Sequence, residues 1–199
     1  RVHLAPGNLP AEFTLVAACA AWPPSQQRDE AIRAAAAGAD WVKVVALAHR
    51  HRIAGLVRHS LASAGIMLPT AEATELNACG HRIAMGELLL AEEAARLCNE
   101  LQAIGIRTQV LKGVAVAIQA FGRLGLRFNR DIDLLVAQPD VPAAASVLEN
   151  AGYGRVEPAA NASDQDVARW IRTHKDLVFR HAGHGSIVEP VEVGDVDAL

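Results

Sequence analysis

The sequence predicts an α+β protein, with a helical N-terminal layer over residues 1–104 and a small α/β domain with a mixed β-sheet over residues 105–199. Three observations lead there. Apolar residues return every three or four positions up to about Ile104, the period of a helix face. After Gly105 short alternating runs take over, separated by helical ones. Aromatics make up only 4% while alanine is abundant, a balance that favours helices packed through small side chains over a sandwich or barrel. In 199 residues with a hydrophobic fraction of 51%, there is ample material for a core, and the chain is not disordered.

The helical half is punctuated at Pro23-Pro24, Gly38, Gly65 and Pro69. Phe13 to Trp22 looks like the core of a signal peptide, but Glu12 precedes it and little positive charge leads it, so a short amphipathic helix is expected instead. A long helix is expected from about His81 to Ile104, with Ala84, Leu88, Ala91, Ala95, Cys98 and Leu101 as its buried stripe and Gly105 as its stop. Cys98 is then a core residue. Ile106 to Leu111 is too short for a helix and alternates, which predicts a strand. Lys112-Gly113 ends it, Val114 to Gly122 reads as a helix, and a polar loop leads to a second strand, Asp131 to Val136. Pro139 and Asp140 open a helix that closes at Gly152. A third strand at Tyr153 to Val156, a short helix at Asp164 to Thr173, and two extended runs joined by Ala182 to Gly185 complete the order.

Composition excludes several classes of function. A net charge of -3 provides no global positive field, so general coating of nucleic acid is not expected. Cys19, Cys79 and Cys98 are odd in number and far apart, fitting neither a disulfide framework nor a C-x-x-C metal spacing; a reducing, cytoplasmic compartment is expected. No run reaches the roughly 18 apolar residues of a membrane span. Lys43, Arg50, Arg52 and Arg58 are expected to form the solvated basic face of one helix. His49, His51 and His59 are expected to be structural or solvated, while His174, His181 and His184 lie near the candidate hairpin, with Lys175 and Asp176 as wall residues. No cysteine has a credible histidine partner, and no G-x-S-x-G or H-E-x-x-H run is present, so hydrolase chemistry has no anchor.

The stretch that carries chemistry is Leu111-Lys112-Gly113, then 17 residues, then Asp131-Ile132-Asp133. On a strand the two aspartates share one face, while Ile132, Leu134 and Val136 share the other and enter the core. Like charges about 5 Å apart repel by about 3 kcal/mol at an effective dielectric near 20. Either water screens them on a solvated strand face, or a hard cation such as Mg²⁺ occupies the gap. Gly113 lets backbone amides approach a phosphate, and the following helix points its positive end at the same place. Neither a Walker A loop nor a Rossmann G-x-G-x-x-G is present.

This LKG, helix, LR-x-x-x-DIDLLV order resembles the nucleotidyltransferase superfamily with the DNA polymerase β-type fold, and within it the uncharacterised nucleotidyltransferase family of bacteria. The helical run from Val44 to Pro69, the LKG-x-A-x-A run at Leu111, Arg127 four residues before Asp131, and the L-x-x-x-GY closure at Leu148 to Tyr153 carry the closer likeness. The resemblance covers nearly the whole chain. It implies Mg²⁺- or Mn²⁺-dependent transfer of a nucleoside monophosphate from a nucleoside triphosphate such as ATP to an acceptor: a small molecule, a peptide or a protein hydroxyl. Asp131 and Asp133 match two of the family's three metal-holding carboxylates. Lys112 and Gly113 match the positions that cradle the triphosphate, and Lys175 belongs to the substrate wall. Arg127 either pairs with a phosphate or braces the strand.

The third carboxylate departs from the family pattern. Where the family has a hydrophobic-Glu-Leu-His-Trp run, this chain has Ile187-Val188-Glu189-Pro190-Val191-Glu192. Glu189 takes the glutamate's place, with Glu192 as the fallback, and Pro190 predicts a strand that is at an edge or irregular. That departure motivates a second expectation, a nucleotide-binding or partner-binding module that has lost turnover. Family members are usually longer, so the α/β domain is expected to be truncated at its C-terminus.

Overall fold

The helical start forms as its periodicity predicts. The computed structural model describes residues 9–174, 176–183 and 187–193, the last stretch by its backbone alone. Helices α1 (Ala11–Ala20), α2 (Gln26–Ala36), α3 (Trp41–Arg50) and α4 (Ala54–Ser63) lead into the long α5 (Thr70–Ala103). Side chains at Ser25 and Asp40 accept the Arg28 and Lys43 amides and so cap α2 and α3. Leu15, Val16, Cys19, Ile32, Val44, Ala48, Val57, Leu61, Leu76 and Ile83 form one apolar core. Among the described residues no helix is long and apolar enough to cross a membrane.

Two details differ from the sequence reading. The basic run is divided between two helices, because α3 ends in a Schellman turn. The Ile53 amide donates to Ala48 O and the Arg52 amide to His49 O, each at 3.0 Å, and Arg52 takes the left-handed position with φ 58°. No glycine marks that stop. The long helix begins already at Thr70, running through Gly80, whose missing Cβ makes room for the Arg58 side chain.

The buried stripe of α5 is also rotated from the one predicted. Leu90, Ala94, Leu97 and Leu101 are buried, whereas Leu88 is 53% exposed. Cys98 is half-buried, packed against the core at the edge of that stripe. Gly105, at φ 81°, ends the helix, with the Ile106 amide donating to Leu101 O at 3.0 Å and the Gly105 amide to Gln102 O at 2.9 Å.

The second half supplies β1 (Thr108–Val110), α6 (Val114–Phe121), β2 (Asp131–Val136), a 3-10 turn at Gln138–Asp140, α7 (Val141–Asn150), β3 (Tyr153–Glu157), α8 (Asp164–Thr173), β4 (Val178–His181) and β5 (Ile187–Val193). The described strands form one mixed sheet in the order β1-β2-β5-β4-β3, in which only the β2–β5 pair is parallel. The α+β expectation with a small mixed sheet therefore holds. Ile132, Leu134 and Val136 of β2 join Leu90, Leu97 and Leu101 of α5, Val141 and Leu148 of α7, Tyr153 and Phe179 in a second core. By backbone contacts the chain divides into two compact units, Arg1–Met85 with Phe121–Phe128, and Gly86–Ala120 with Asn129–Leu199. The later turns of α5 thus group with the sheet.

Candidate functional site

The site is built where β1 ends beside β2. Val110 pairs with Leu134, and the Leu111 amide donates to Asp133 O at 3.0 Å, so the ladder continues one residue past β1 before the chain turns. Gly113 makes that turn at φ 59°. A Cβ on it would stand 3.3 Å from Asp131 O and 3.9 Å from Asn129 Cγ, so both φ and the close approach of β2 demand glycine. The Ala117 amide donates to Gly113 O at 3.0 Å, which starts α6 at the turn itself.

Ile132, Leu134 and Val136 enter the core as the alternation predicts. The other face of β2 is not a solvated surface. Asp131 is half-buried, Asp133 is 6% exposed and Leu135 4%. Lys112 Nζ lies 3.6 Å from Asp133 Oδ1, with the lysine side chain 55% exposed. A carboxylate this buried is costly unless charge or hydrogen bonds compensate it, and the turn lysine is one compensating partner. A purely helical interaction protein, which would need both aspartates facing solvent with no glycine turn nearby, does not fit.

The irregularity expected of the last strand falls at Pro190, but β5 is interior, flanked by β2 and β4. Ile132 pairs with Val188 and Leu134 with Val191, so Glu189 and Pro190 together stand opposite the single residue Asp133. This bulge absorbs the ladder hydrogen bond that proline cannot donate. Glu192 pairs with Leu135, farther along the sheet. The register therefore brings the Glu189 backbone, rather than that of Glu192, level with Asp133.

Arg127 is exposed in the Phe121–Phe128 segment, which groups with the helical unit. Lys175 and His184 lie outside the described residues. His174 stacks on Trp170 at 3.7 Å between ring centres, and His181 meets Tyr153 edge-on at 5.0 Å. Asp176 accepts a hydrogen bond at its carbonyl from Trp170 Nε1 at 2.8 Å.

Two groups escape the sequence reading. Glu87 of α5 is 1% exposed and accepts a hydrogen bond from Asn129 Nδ2. The signal was a lone acid at helical spacing from Ile83 and Leu90. Cys79 also has a histidine partner after all: its Sγ is 3.6 Å from Nδ1 of His49, on another helix and thirty positions away, beyond the reach of any spacing rule.

Among the described residues no group of three His, Cys, Asp or Glu side chains is placed to hold a metal ion. No significant match is found among curated proteins, and none among solved structures. Residues 37–193, well over half of the chain, match the model of a family described as uncharacterised nucleotidyltransferase, and the chain belongs to that nucleotidyltransferase family.

Proposed function

We propose that this protein is a metal-dependent nucleotidyltransferase of the DNA polymerase β-type superfamily, acting in the cytoplasm, that transfers a nucleoside monophosphate from a nucleoside triphosphate to an acceptor. The observation that carries the proposal is the seating of the Lys112-Gly113 turn against the strand that bears Asp131 and Asp133. The donor set fits a hard cation: two carboxylates at alternate positions of β2, one of them almost fully buried beside a positive charge. Asp131 and Asp133 would hold Mg²⁺ or Mn²⁺, with Glu189 as the third carboxylate. When bound, the metal supplies charge neutralisation on the triphosphate and a lowered pKa for the acceptor hydroxyl.

The chain's own residues do the rest. Gly113, lacking a Cβ, admits phosphate oxygens to the backbone amides at the start of α6, where the helix dipole favours them. Lys112 moves from its carboxylate partner to a phosphate oxygen, and Lys175 contributes further positive charge to the substrate. The acceptor oxygen attacks the α-phosphorus, the bond to the bridging oxygen breaks, and pyrophosphate leaves with the electron pair while the acceptor proton passes to solvent. The acceptor is a small molecule, a peptide or a protein.

The Glu189-Pro190 bulge, standing where the resembling pattern has Glu-Leu-His-Trp, favours a second reading: a module that binds nucleotide, or a partner, without turnover. Calorimetry with Mg²⁺-ATP and Mg²⁺-GTP tests both. Binding is expected to weaken by at least tenfold, about 1.4 kcal/mol, in Asp131→Asn/Asp133→Asn, and equal binding by both proteins removes the site. Nucleotide labelled at the α-phosphate then separates the readings, since a module without turnover binds it and transfers no label.

A further inference from the structure

The helical unit carries a cluster of reactive side chains that nucleotidyl transfer does not use. Cys79 Sγ on α5 lies 3.6 Å from His49 Nδ1 near the end of α3. On the other side of the ring, His49 Nε2 is 3.4 Å from Oε1 of Glu75, one helical turn before Cys79. With the ring proton on Nε2, the Nδ1 lone pair faces the thiol.

His49 and Cys79 line a cavity of about 240 Å³ together with Arg52, Arg82 and Phe128. The left-handed turn at Arg52 sets its guanidinium over the Phe128 ring, 5.7 Å from the centroid. Arg82 follows Cys79 by three residues on α5 and so shares its face. Among the described residues neither guanidinium has a carboxylate partner. Neither Cys19 nor Cys98 lines this cavity, and burial pushes both of their thiols up.

A zinc ion is the competing occupant, because thiolate and imidazole at this separation match one edge of a tetrahedral site. Two guanidiniums at the same cavity oppose a dication, and they favour a guest that carries negative charge.

We propose that Cys79 is a reactive thiol that exchanges with small anionic disulfides, with His49 as its base and Arg52 and Arg82 holding the anionic groups. The Sγ proton passes to Nδ1 and the thiolate attacks the nearer sulfur of the disulfide. The new Sγ–S bond forms as the reagent's S–S bond breaks. The departing thiolate leaves with the electron pair and takes up the proton. Cys79 is oxidised to a mixed disulfide and half of the reagent is reduced to thiol.

The test uses the intact chain and two probes, the dianionic 5,5′-dithiobis(2-nitrobenzoate) and the uncharged 2,2′-dithiodipyridine. Modification at each cysteine is timed by peptide mapping, and the ratio of the two rates is compared with that of the urea-unfolded chain. At low salt the preference of Cys79 for the dianion is expected to exceed the unfolded ratio by about tenfold or more, and to fall as salt is added. Arg82→Gln, and Arg52→Asn, which tolerates the left-handed backbone, are expected to lower the preference. His49→Gln is expected to slow both probes alike. A folded-state ratio equal to the unfolded one, or a preference indifferent to salt, overturns the proposal, and the wild-type salt series decides it even where a variant fails to fold.

Discussion

Asn129 donates a hydrogen bond from Nδ2 to the carboxylate of Glu87, which is 1% exposed on α5. Asn129 precedes Asp131 by two residues, and its Cγ stands 3.9 Å from the place a Cβ on Gly113 would take. One buried acid thereby ties the entry of β2 to the turn at the end of β1. Removing a donor from a buried carboxylate leaves part of its desolvation uncompensated, so Asn129→Ala is expected to lose about 1–3 kcal/mol of stability. Asn99→Ala, on an exposed position of the same helix, is expected to stay within about 0.5 kcal/mol of wild type. Urea unfolding of the two variants makes the comparison, and equal losses would deny Asn129 this role.

Gly113→Ala tests the turn itself. Forcing an alanine into the left-handed region costs about 1–2 kcal/mol, and here the new methyl also meets Asp131 O at 3.3 Å. Gly105 has the same sign of φ, at 81°, with nothing within 4 Å of its Cβ position. Gly105→Ala therefore carries the backbone strain alone. Gly113→Ala is expected to unfold at lower urea than Gly105→Ala by the equivalent of about 1 kcal/mol, and to weaken nucleotide binding while Gly105→Ala does not.

The strand of the DID motif was legible to the residue, because Ile132, Leu134 and Val136 fall at alternate positions opposite the two aspartates and Gly105, Gly113 and Gly152 punctuate the chain where φ is positive. The face of α5 was not. Leu88, Leu89 and Leu90 occur in a row, and three successive leucines set no phase; only packing decides that Leu90 is buried while its neighbours are 53% and 60% exposed. That choice of phase also hid Glu87, since an acid on the buried stripe looks like a residue of the polar face. Contacts between distant segments were out of reach for another reason. Cys79 meets His49, and the Glu189 backbone comes level with Asp133, through tertiary packing and a bulge that no local period encodes.

Tyr153, last residue of the L-x-x-x-GY closure, joins β3 to α5. Its hydroxyl donates to Glu93 Oε1 at 2.7 Å, and the ring is 2% exposed. Glu93 also receives the Arg96 guanidinium, which spans to Glu100 and is held more firmly protonated than an ordinary arginine by its hydrogen bonds to Glu93. A buried hydrogen bond to a carboxylate contributes more than an ion pair whose arginine is 40% exposed. Tyr153→Phe is expected to lose about 1.5–3 kcal/mol and Arg96→Gln less than about 1 kcal/mol. Because both partners share Glu93, the double variant is expected to depart from additivity in a denaturation cycle.

Cys19 provides a pH-dependent test of the helical core. Its side chain is fully buried, and desolvation pushes the thiol up to about 12; the positive charge of Arg28 works against that rise and the Asp29 carboxylate adds to it. In the unfolded chain a cysteine releases its proton near pH 9, so above that pH the unfolded state binds fewer protons than the native one. Stability then falls as pH rises, by up to about 1.4 kcal/mol per unit, and the loss continues until the native thiol itself ionises. The contribution is therefore whole below about pH 9 and gone above about pH 12. Cys19→Ala lacks this titration, although it carries its own penalty from a smaller side chain in the core. Urea midpoints measured from pH 8 to pH 11 should show the advantage of wild type over Cys19→Ala narrowing steadily above pH 9, whereas parallel profiles across that range would mean that the Cys19 thiol ionises as freely in the native protein as in the unfolded chain.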